Sequence, residues 1–338
     1  MIKAYITGIS FYLPKKVLDN RLISENHPEW SVDKISLKTG IDKRYISAED
    51  EFSSDMAVSA AEKLFEEYSV EKESIDYLIL CTQSPDFFLP TTACVLQDRL
   101  KLSKTTGALD INLGCSGFIY GIGLAKGLIA SQQARNILLI TSETYSKFIH
   151  PQDKSNKTIF GDAAAATLIT AEPSNNHISA SIENFVYGTD GSGYKDLIVK
   201  NGGIKYRYSD NKEFLDENGN FVSNDGFLFM DGKAIFNFTA FNVPPLIKDI
   251  CIKNQVQEDE VDLFVFHQAN LFMLQTMRKR CNIPEEKFYT DLSCANTVSS
   301  TIPIAIKSAI EKNKIAQGST VLLAGFGVGL SWAGVILN

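Results

Sequence analysis

No C-x-x-C pair occurs in this 338-residue chain; its six cysteines (Cys81, Cys94, Cys115, Cys251, Cys281 and Cys294) are scattered, several of them inside apolar runs. That spacing offers neither a disulfide framework nor a metal-ligand set, and it points to reduced thiols in an intracellular, cytoplasmic protein. A basic excess is missing as well. The net charge of −7 and the pI near 5.3 argue against a general polyanion binder, so nucleic acid is not an expected partner, while a local basic patch can still hold a phosphate or an acidic carrier protein. No membrane span is expected: the uncharged stretch from Val321 to Leu337 falls short of ~20 apolar residues and is interrupted by Gly325, Gly327, Gly329 and Gly334. It reads as strand, glycine loop, strand. The apolar start from Met1 to Leu13 contains Gly8 and runs into Pro14-Lys15-Lys16 without a cleavage pattern, so it reads as a first strand rather than a leader.

The chain is longer than the size at which one core usually stops growing, and strand-like and helical runs alternate along it. Tyr77 to Cys81 and Ile137 to Thr141 are short apolar runs, while Met56 to Tyr68 has helical periodicity. An internal echo pairs Ile75-Asp-Tyr-Leu-Ile-Leu-Cys81 with Val261-Asp-Leu-Phe-Val-Phe-His267, and a second pairs Asn136-Ile-Leu-Leu-Ile-Thr141 with Thr320-Val-Leu-Leu-Ala-Gly325. Both are offset by about 185 residues, which suits two copies of one α/β half and is too long for a solenoid. The expected halves are 1–173 and 174–338, divided in the turn residues from Ala171 to Asn176. From about 201 to 225 the chain is polar and acidic; Asn218-Gly219 between Phe214-Leu215 and Phe221-Val222 signals a hairpin, read as a solvated surface insertion in preference to a lid.

Three polar groups stand where α/β proteins place chemistry. Cys115, in Asp-Ile-Asn-Leu-Gly-Cys-Ser-Gly-Phe-Ile-Tyr-Gly, falls where a strand ends and an apolar helix begins. The positive end of that helix favours a thiolate, so a lowered Cys115 pKa is expected, with inert packing as the alternative. His267 closes the apolar run Asp262-Leu-Phe-Val-Phe-His, at the carboxyl end of a buried strand, and precedes a helical pattern from Leu271 to Arg280. Asn296 lies in a loop of small polar residues that feeds a helix starting near Pro303. Gly325-Phe-Gly-Val-Gly-Leu-Ser-Trp332 can bring backbone amides close to a ligand, and it lacks the G-x-G-x-x-G spacing of a dinucleotide loop.

In their order along nearly the whole chain, the Cys115 elbow, Phe160-Gly161-Asp162-Ala163-Ala164-Ala165-Ala166, Thr189-Asp190-Gly191, His267-Gln268-Ala269-Asn270, Asn296-Thr297 with Ile302-Pro303, and Gly325-Phe326-Gly327 through Trp332 resemble the β-ketoacyl-ACP synthase III family of the thiolase superfamily. The resemblance implies a duplicated, five-layered αβαβα fold. It implies that Cys115 takes an acyl group from an acyl-CoA, and that His267 and Asn296 act as neutral donors while a malonyl thioester, on ACP or CoA, is decarboxylated and condensed to a 3-oxoacyl thioester. The amides of Cys115 and Val328 form the oxyanion hole in this reading, and no metal or redox cofactor is required. Asn270 belongs to the substrate channel on the same basis. Leu89, beside Pro90, takes the place of an entrance residue that family members contribute across a homodimer interface. Lys38, Arg44 and Lys154 fall at cationic positions of the phosphopantetheine or nucleotide mouth, and Trp30 lies near that of an adenine-stacking tryptophan, offset by two inserted residues.

Two departures concern the carrier. Phe272 and Asp42 stand where family members that dock acyl carrier protein usually have arginine, so attraction to an acidic carrier is expected to be weaker. Competing readings are a synthase-like acyltransferase that passes the acyl group to an alcohol or amine without decarboxylation, and a degenerate subunit kept for its dimer interface. A papain-type hydrolase leaves the internal echo unexplained.

Overall fold

The computed structural model describes residues 2–174 and 179–338. The turn from Ala171 to Asn176, where the halves were expected to divide, therefore runs partly outside the described residues. Ten strands build the main sheet: β1 (Tyr5–Tyr12), β2 (Tyr77–Cys81), β3 (Gly107–Ile111), β4 (Asn136–Glu143), β5 (Ala163–Thr170), β6 (Ala180–Thr189), β7 (Leu263–Phe266), β8 (Phe288–Tyr289), β9 (Val321–Gly327) and β10 (Ser331–Leu337). Their spatial order is β3-β2-β4-β5-β1-β6-β10-β9-β7-β8. The five strands before β6 and the five from β6 onward trace the same circuit, the second in mirror order along the sheet. Residues that echo one another in sequence also pair alike: Tyr77 sits opposite Ile137 in the first half, and Leu263 opposite Val321 in the second. The halves join where β1 pairs antiparallel with β6, Tyr5 opposite Ser181 and Ile6 opposite Ala180.

The strand faces explain the layering. In β2, Leu78 and Leu80 pack outward against Met56, Ala60 and Leu64 of α1 (Ser53–Tyr68) and Leu96 of α2 (Thr92–Arg99). Ile79 points the other way, into a middle layer formed by α3 (Gly117–Ala130). The second half repeats this. Phe264 and Phe266 of β7 face α4 (Gly232–Asn254) and α5 (Leu271–Arg280), while Leu263 and Val265 face the middle layer, where Ile302, Ala305 and Ile306 of α6 (Thr301–Glu311) lie beside α3. Strands covered by helices on both faces need apolar residues at successive positions, which is why these runs lack the polar alternation of a half-exposed strand. The result is five layers, helix, sheet, helix, sheet, helix. Among the described residues no helix is long and apolar enough to cross a membrane.

The acidic insertion forms a hairpin, Glu213–Leu215 with Phe221–Asn224, turning at Gly219, whose φ of 78° suits a residue without a Cβ. Its outer face is exposed. Its inner face is anchored by Phe221, stacked on the His150 ring at 4.2 Å between centroids.

Leu139→Ala removes a fully buried side chain from the middle layer and should cost about 2–5 kcal/mol in chemical unfolding. Leu37→Ala, at a side chain 83% exposed, should change stability by less than about 0.5 kcal/mol. Equal shifts in the two unfolding midpoints would contradict the layering.

Candidate active site

The duplicated circuit brings equivalent loops together. Cys115 lies in the connection from β3 to α3, Asn296 in the corresponding connection from β8 to α6, and His267 immediately after β7. All three line one cavity of ≈ 130 Å³ with Asn270, Phe326 and Gly327, walled further by Ile159, Phe160, Met230 and Ile235.

Cys115 stands just ahead of the first turn of α3, where the Gly117 amide closes a turn onto the Gly114 carbonyl at 2.8 Å. The Ser116 hydroxyl lies 2.7 Å from that of Ser331, tying the elbow to β10. Gly327 passes so close that a Cβ there would sit 2.8 Å from Cys115 Sγ, so only glycine leaves the sulfur its room. The amides of Val328 and of Cys115 itself donate toward the sulfur. The lowered pKa expected at the helix start is not what the structure gives. Burial pushes the Cys115 thiol up to about 12, and the nearby Glu143 carboxylate adds to this, against the opposing pull of the two amides. Desolvation of a thiolate outweighs the helix end because Cys115 is 6% exposed.

His267 is held by its own amide, which donates to the Ala324 carbonyl at 2.8 Å, and by the edge of its ring against Phe326. Burial lowers its pKa to about 3, so the imidazole is neutral. Its Nδ1 lies 2.7 Å from Thr301 Oγ1, and among the described residues Nε2 has no protein partner. The backbone of Asn296 is bonded on both sides by the Phe160 loop: its amide donates to the Ile159 carbonyl at 3.1 Å, and the Gly161 amide donates to its carbonyl at 3.0 Å. That loop is pinned in turn by Asp162, whose carboxylate accepts from the amides and hydroxyls of Ser47 and Ser146. Asn296 Oδ1 accepts from the Val298 amide at 3.0 Å. An N–H can only donate, so the oxygen must face Val298 and the NH₂ group is left for the cavity. Ala295 and Val298 take left-handed backbone, φ 62° and 55°, a strained choice for a β-branched residue.

The remaining expected residues divide. Asn270 lines the cavity and caps α5, its Oδ1 accepting from the Met273 amide at 2.9 Å. Leu89, Lys38, Lys154 and Trp30 do not line it. Leu89 is 83% exposed beside exposed Phe87 and Phe88. Lys38 sits over the Trp30 ring at 5.2 Å, and Lys154 pairs with Glu29 at 2.5 Å. Arg44 is not a mouth residue. It is fully buried, its guanidinium donating to Asn20, Ile41 and Thr158. Phe272 is exposed and stacks on Phe236 at 5.5 Å. Among the described residues, no three His, Cys, Asp or Glu side chains converge as metal ligands would.

Sequence reasoning missed Glu143, the charge that closes the apolar run of β4. Fully buried, it accepts from Ser299 Oγ at 2.7 Å, Ser84 Oγ at 3.2 Å and the Gln83 amide at 3.1 Å, and burial still pushes it up to about 8. It is therefore ionised in the alkaline range where Cys115 titrates. Glu143→Gln should lower the midpoint of Cys115 alkylation against pH by on the order of one unit, read from iodoacetamide rates. An unchanged midpoint would mean that burial alone sets it.

The profile of the 3-oxoacyl-(acyl-carrier-protein) synthase III family matches residues 109–191, and that of the same family's C-terminal part matches residues 251–338. A β-ketoacyl-(acyl-carrier-protein) synthase III from Clostridium perfringens is 34% identical over 339 aligned positions, covering 100% of both chains. One from Fusobacterium nucleatum is 33% identical, covering 98% of both. Among solved structures, a 3-oxoacyl-(acyl-carrier-protein) synthase III at 2.1 Å resolution superposes with a TM-score of 0.95 at 44% identity, covering 99% of both chains. The Thermus thermophilus synthase III gives 0.85 at 30% identity, covering 98% of both. The five layers and repeated strand circuit are the thiolase-like fold of these neighbours. In sequence and architecture alike, this chain belongs to the β-ketoacyl-ACP synthase III family of the thiolase superfamily.

Proposed function

We propose that this protein catalyses a decarboxylating Claisen condensation through acyl-Cys115. The Cys115 sulfur attacks the carbonyl of an acyl-CoA; the bond to the CoA sulfur breaks, and CoA leaves with the thiol proton. A malonyl thioester then loses carbon dioxide, and the electron pair of the broken C–C bond forms an enolate. The enolate carbon attacks the acyl carbon, the 3-oxoacyl thioester departs, and the Cys115 thiolate regains a proton. No metal or redox cofactor enters these steps.

The observation that carries this reading is the convergence of one sulfur and two neutral donors on a single cavity. Among the described residues His267 Nε2 and Asn296 Nδ2 lack protein partners, as groups reserved for a ligand do. Directed at the thioester oxygen, they stabilise the enolate in a dry site where such donors are worth more than in water. The amides of Cys115 and Val328 serve the tetrahedral intermediates at the acyl-cysteine, each worth about 10²–10³ in rate.

The proposed partners are acyl-CoA as donor and malonyl-ACP or malonyl-CoA as extender, in a cytoplasmic setting. Lys154 is neutralised by Glu29, and Phe272 offers a carrier no charge, which favours weak electrostatic steering of an acidic carrier protein. We assign the exposed Phe87, Phe88 and Leu89 to a homodimer interface, because contiguous apolar side chains of this size are costly to leave in water. Lys38, Lys154 and Trp30 belong to the mouth in this reading.

The test is intact-mass analysis after exposure to a panel of acyl-CoAs, followed by malonyl-CoA or malonyl-carrier. Wild type should gain one acyl group on Cys115 and lose it to the malonyl partner. Asn296→Asp, which sets a negative charge against the enolate, should gain the acyl group and fail to transfer it. A stable adduct in wild type that never transfers would replace condensation with simple acyl transfer.

A further inference from the structure

The acidic insertion is rooted in the cavity wall. It leaves the strand Leu197–Val199 and returns through Leu228–Met230, which pair antiparallel with Leu197 opposite Met230. Both of those side chains line the cavity with Cys115, His267 and Asn296. The hairpin of the insertion then docks on a segment that runs into another wall. Phe221 stacks on His150, Phe227 meets the same ring edge-on at 4.8 Å, and Glu213 Oε2 lies 3.7 Å from His150 Nε2. Lys154 follows on that segment, and beyond it Ile159 and Phe160 line the cavity. The insertion is therefore a rim on the approach to the cavity rather than a detached surface loop.

The charge of this rim is one-sided. From Glu213 to Asn224 there are three carboxylates, Glu213, Asp216 and Glu217, all exposed, and no lysine or arginine; Lys212 stands at the foot. The turn holds Asp216 in place, its Oδ1 accepting from the amides of Asn218 and Asn220 at 2.8 and 2.9 Å and its Oδ2 from Asn220 Nδ2 at 2.9 Å. The Asn220 bonds above all keep Asp216 below the usual carboxylate range, and the Lys154 ammonium adds to them, so the hairpin tip lies within the field of that cation. Lys154 is itself paired with Glu29. The other cations of the insertion are engaged elsewhere, Lys200 with Asp225 at 2.6 Å and Arg207 over the Phe88 ring at 5.6 Å.

Beside Trp30 the balance is different. The Lys38 and Lys34 ammoniums lie 5.2 and 5.8 Å from its ring centroid, Lys34 also donates to the Glu29 carbonyl at 3.4 Å, and among the described residues neither pairs with a carboxylate. A flat ring with two ammoniums suits a compact purine nucleotide with its phosphates. A specific protein–protein contact covers about 800 Å² on each partner, too wide to avoid the hairpin, whereas a nucleotide is small enough to lie on the Trp30 side of Lys154. We propose that the hairpin Glu213–Asn224 selects the form in which thioesters arrive: a nucleotide handle, as in CoA, is admitted beside Trp30, and an acidic carrier protein is turned away by like charge, so that the extender is malonyl-CoA. Like charges set against each other across a contact slow encounter and suppress the wrong partner. The identity of the extender rests on the condensation reading; the repulsion of an acidic protein does not.

The experiment compares malonyl-CoA with malonyl-carrier as extender for acyl-Cys115, in wild type and in the variant Glu213→Gln/Asp216→Asn/Glu217→Gln, at low and at high salt. Wild type should show a kcat/KM for malonyl-CoA roughly tenfold or more above that for malonyl-carrier. The neutral variant should gain roughly three- to tenfold in kcat/KM with malonyl-carrier at low salt, lose that gain at high salt, where screening removes it, and keep the wild-type value with malonyl-CoA. Glu213→Lys/Glu217→Lys, which leaves the Asp216 turn intact, should gain more than the neutral variant. Binding of fluorescently labelled holo-carrier, followed by anisotropy, reads the repulsion without chemistry, and its Kd should fall by a similar factor in both variants. Wild type that uses malonyl-carrier as well as malonyl-CoA overturns the selection, as do variants that change both extenders equally or leave carrier binding unchanged. Absence of condensation with either extender would sink the proposed reaction, and carrier binding would still decide the role of the hairpin.

Discussion

Exclusion of water at the meeting of the two halves governs the protonation of every group at this site. His267 is neutral because burial drives its pKa to about 3, the Cys115 thiol holds its proton because burial drives it to about 12, and Glu143 is raised to about 8. Among the described residues, none of these groups has an opposite charge beside it. Each is held by uncharged partners: Thr301 for His267, the Val328 amide for Cys115, and Ser299 with Ser84 for Glu143. Oriented dipoles in a dry cavity cost no rearrangement when charge develops nearby, which is the physical basis on which neutral donors can stabilise an anion. A charged partner would stabilise one protonation state permanently. The arrangement keeps the site uncharged at rest.

The sheet explains how such a cavity arises. The same strand circuit occurs twice, and the loop between the third strand and the third helix of each copy faces the other across the middle layer. One copy puts a thiol in that loop and the other an amide. The echo of Cys81 is His267, so one position serves packing in the first half and faces the cavity in the second. Duplication thus supplies two similar frames, and divergence at a few positions makes them complementary.

Much of this was legible in the sequence. Runs such as Tyr77–Cys81 and Val261–His267 had to be doubly covered strands because no polar residue alternates within them, and their constant offset announced the repeat. The hairpin at Asn218-Gly219 followed from turn chemistry alone. Cys115, His267 and Asn296 stood out because polar groups at the ends of apolar runs have few other reasons to be there. The sign of the Cys115 shift was not legible: a helix end can be read from local sequence, whereas the depth of burial depends on how residues more than 200 positions apart pack. Arg44 was misplaced for the same reason. Its partners Asn20 and Thr158 come from distant segments, and nothing local distinguishes a buried arginine from one at a mouth. Met230 and Ile235 were invisible as wall residues, since apolar side chains carry no mark of which cavity they will line.

The contact between Ser116 and Ser331, with the Val328 amide aimed at the sulfur, makes the surroundings of Cys115 depend on the last strand pair. During synthesis, the segment bearing the thiol leaves the ribosome long before the residues that complete its pocket. A nascent chain therefore carries an unfinished cavity through most of translation. Premature termination ahead of Val328 leaves the Cys115 sulfur without the amide aimed at it.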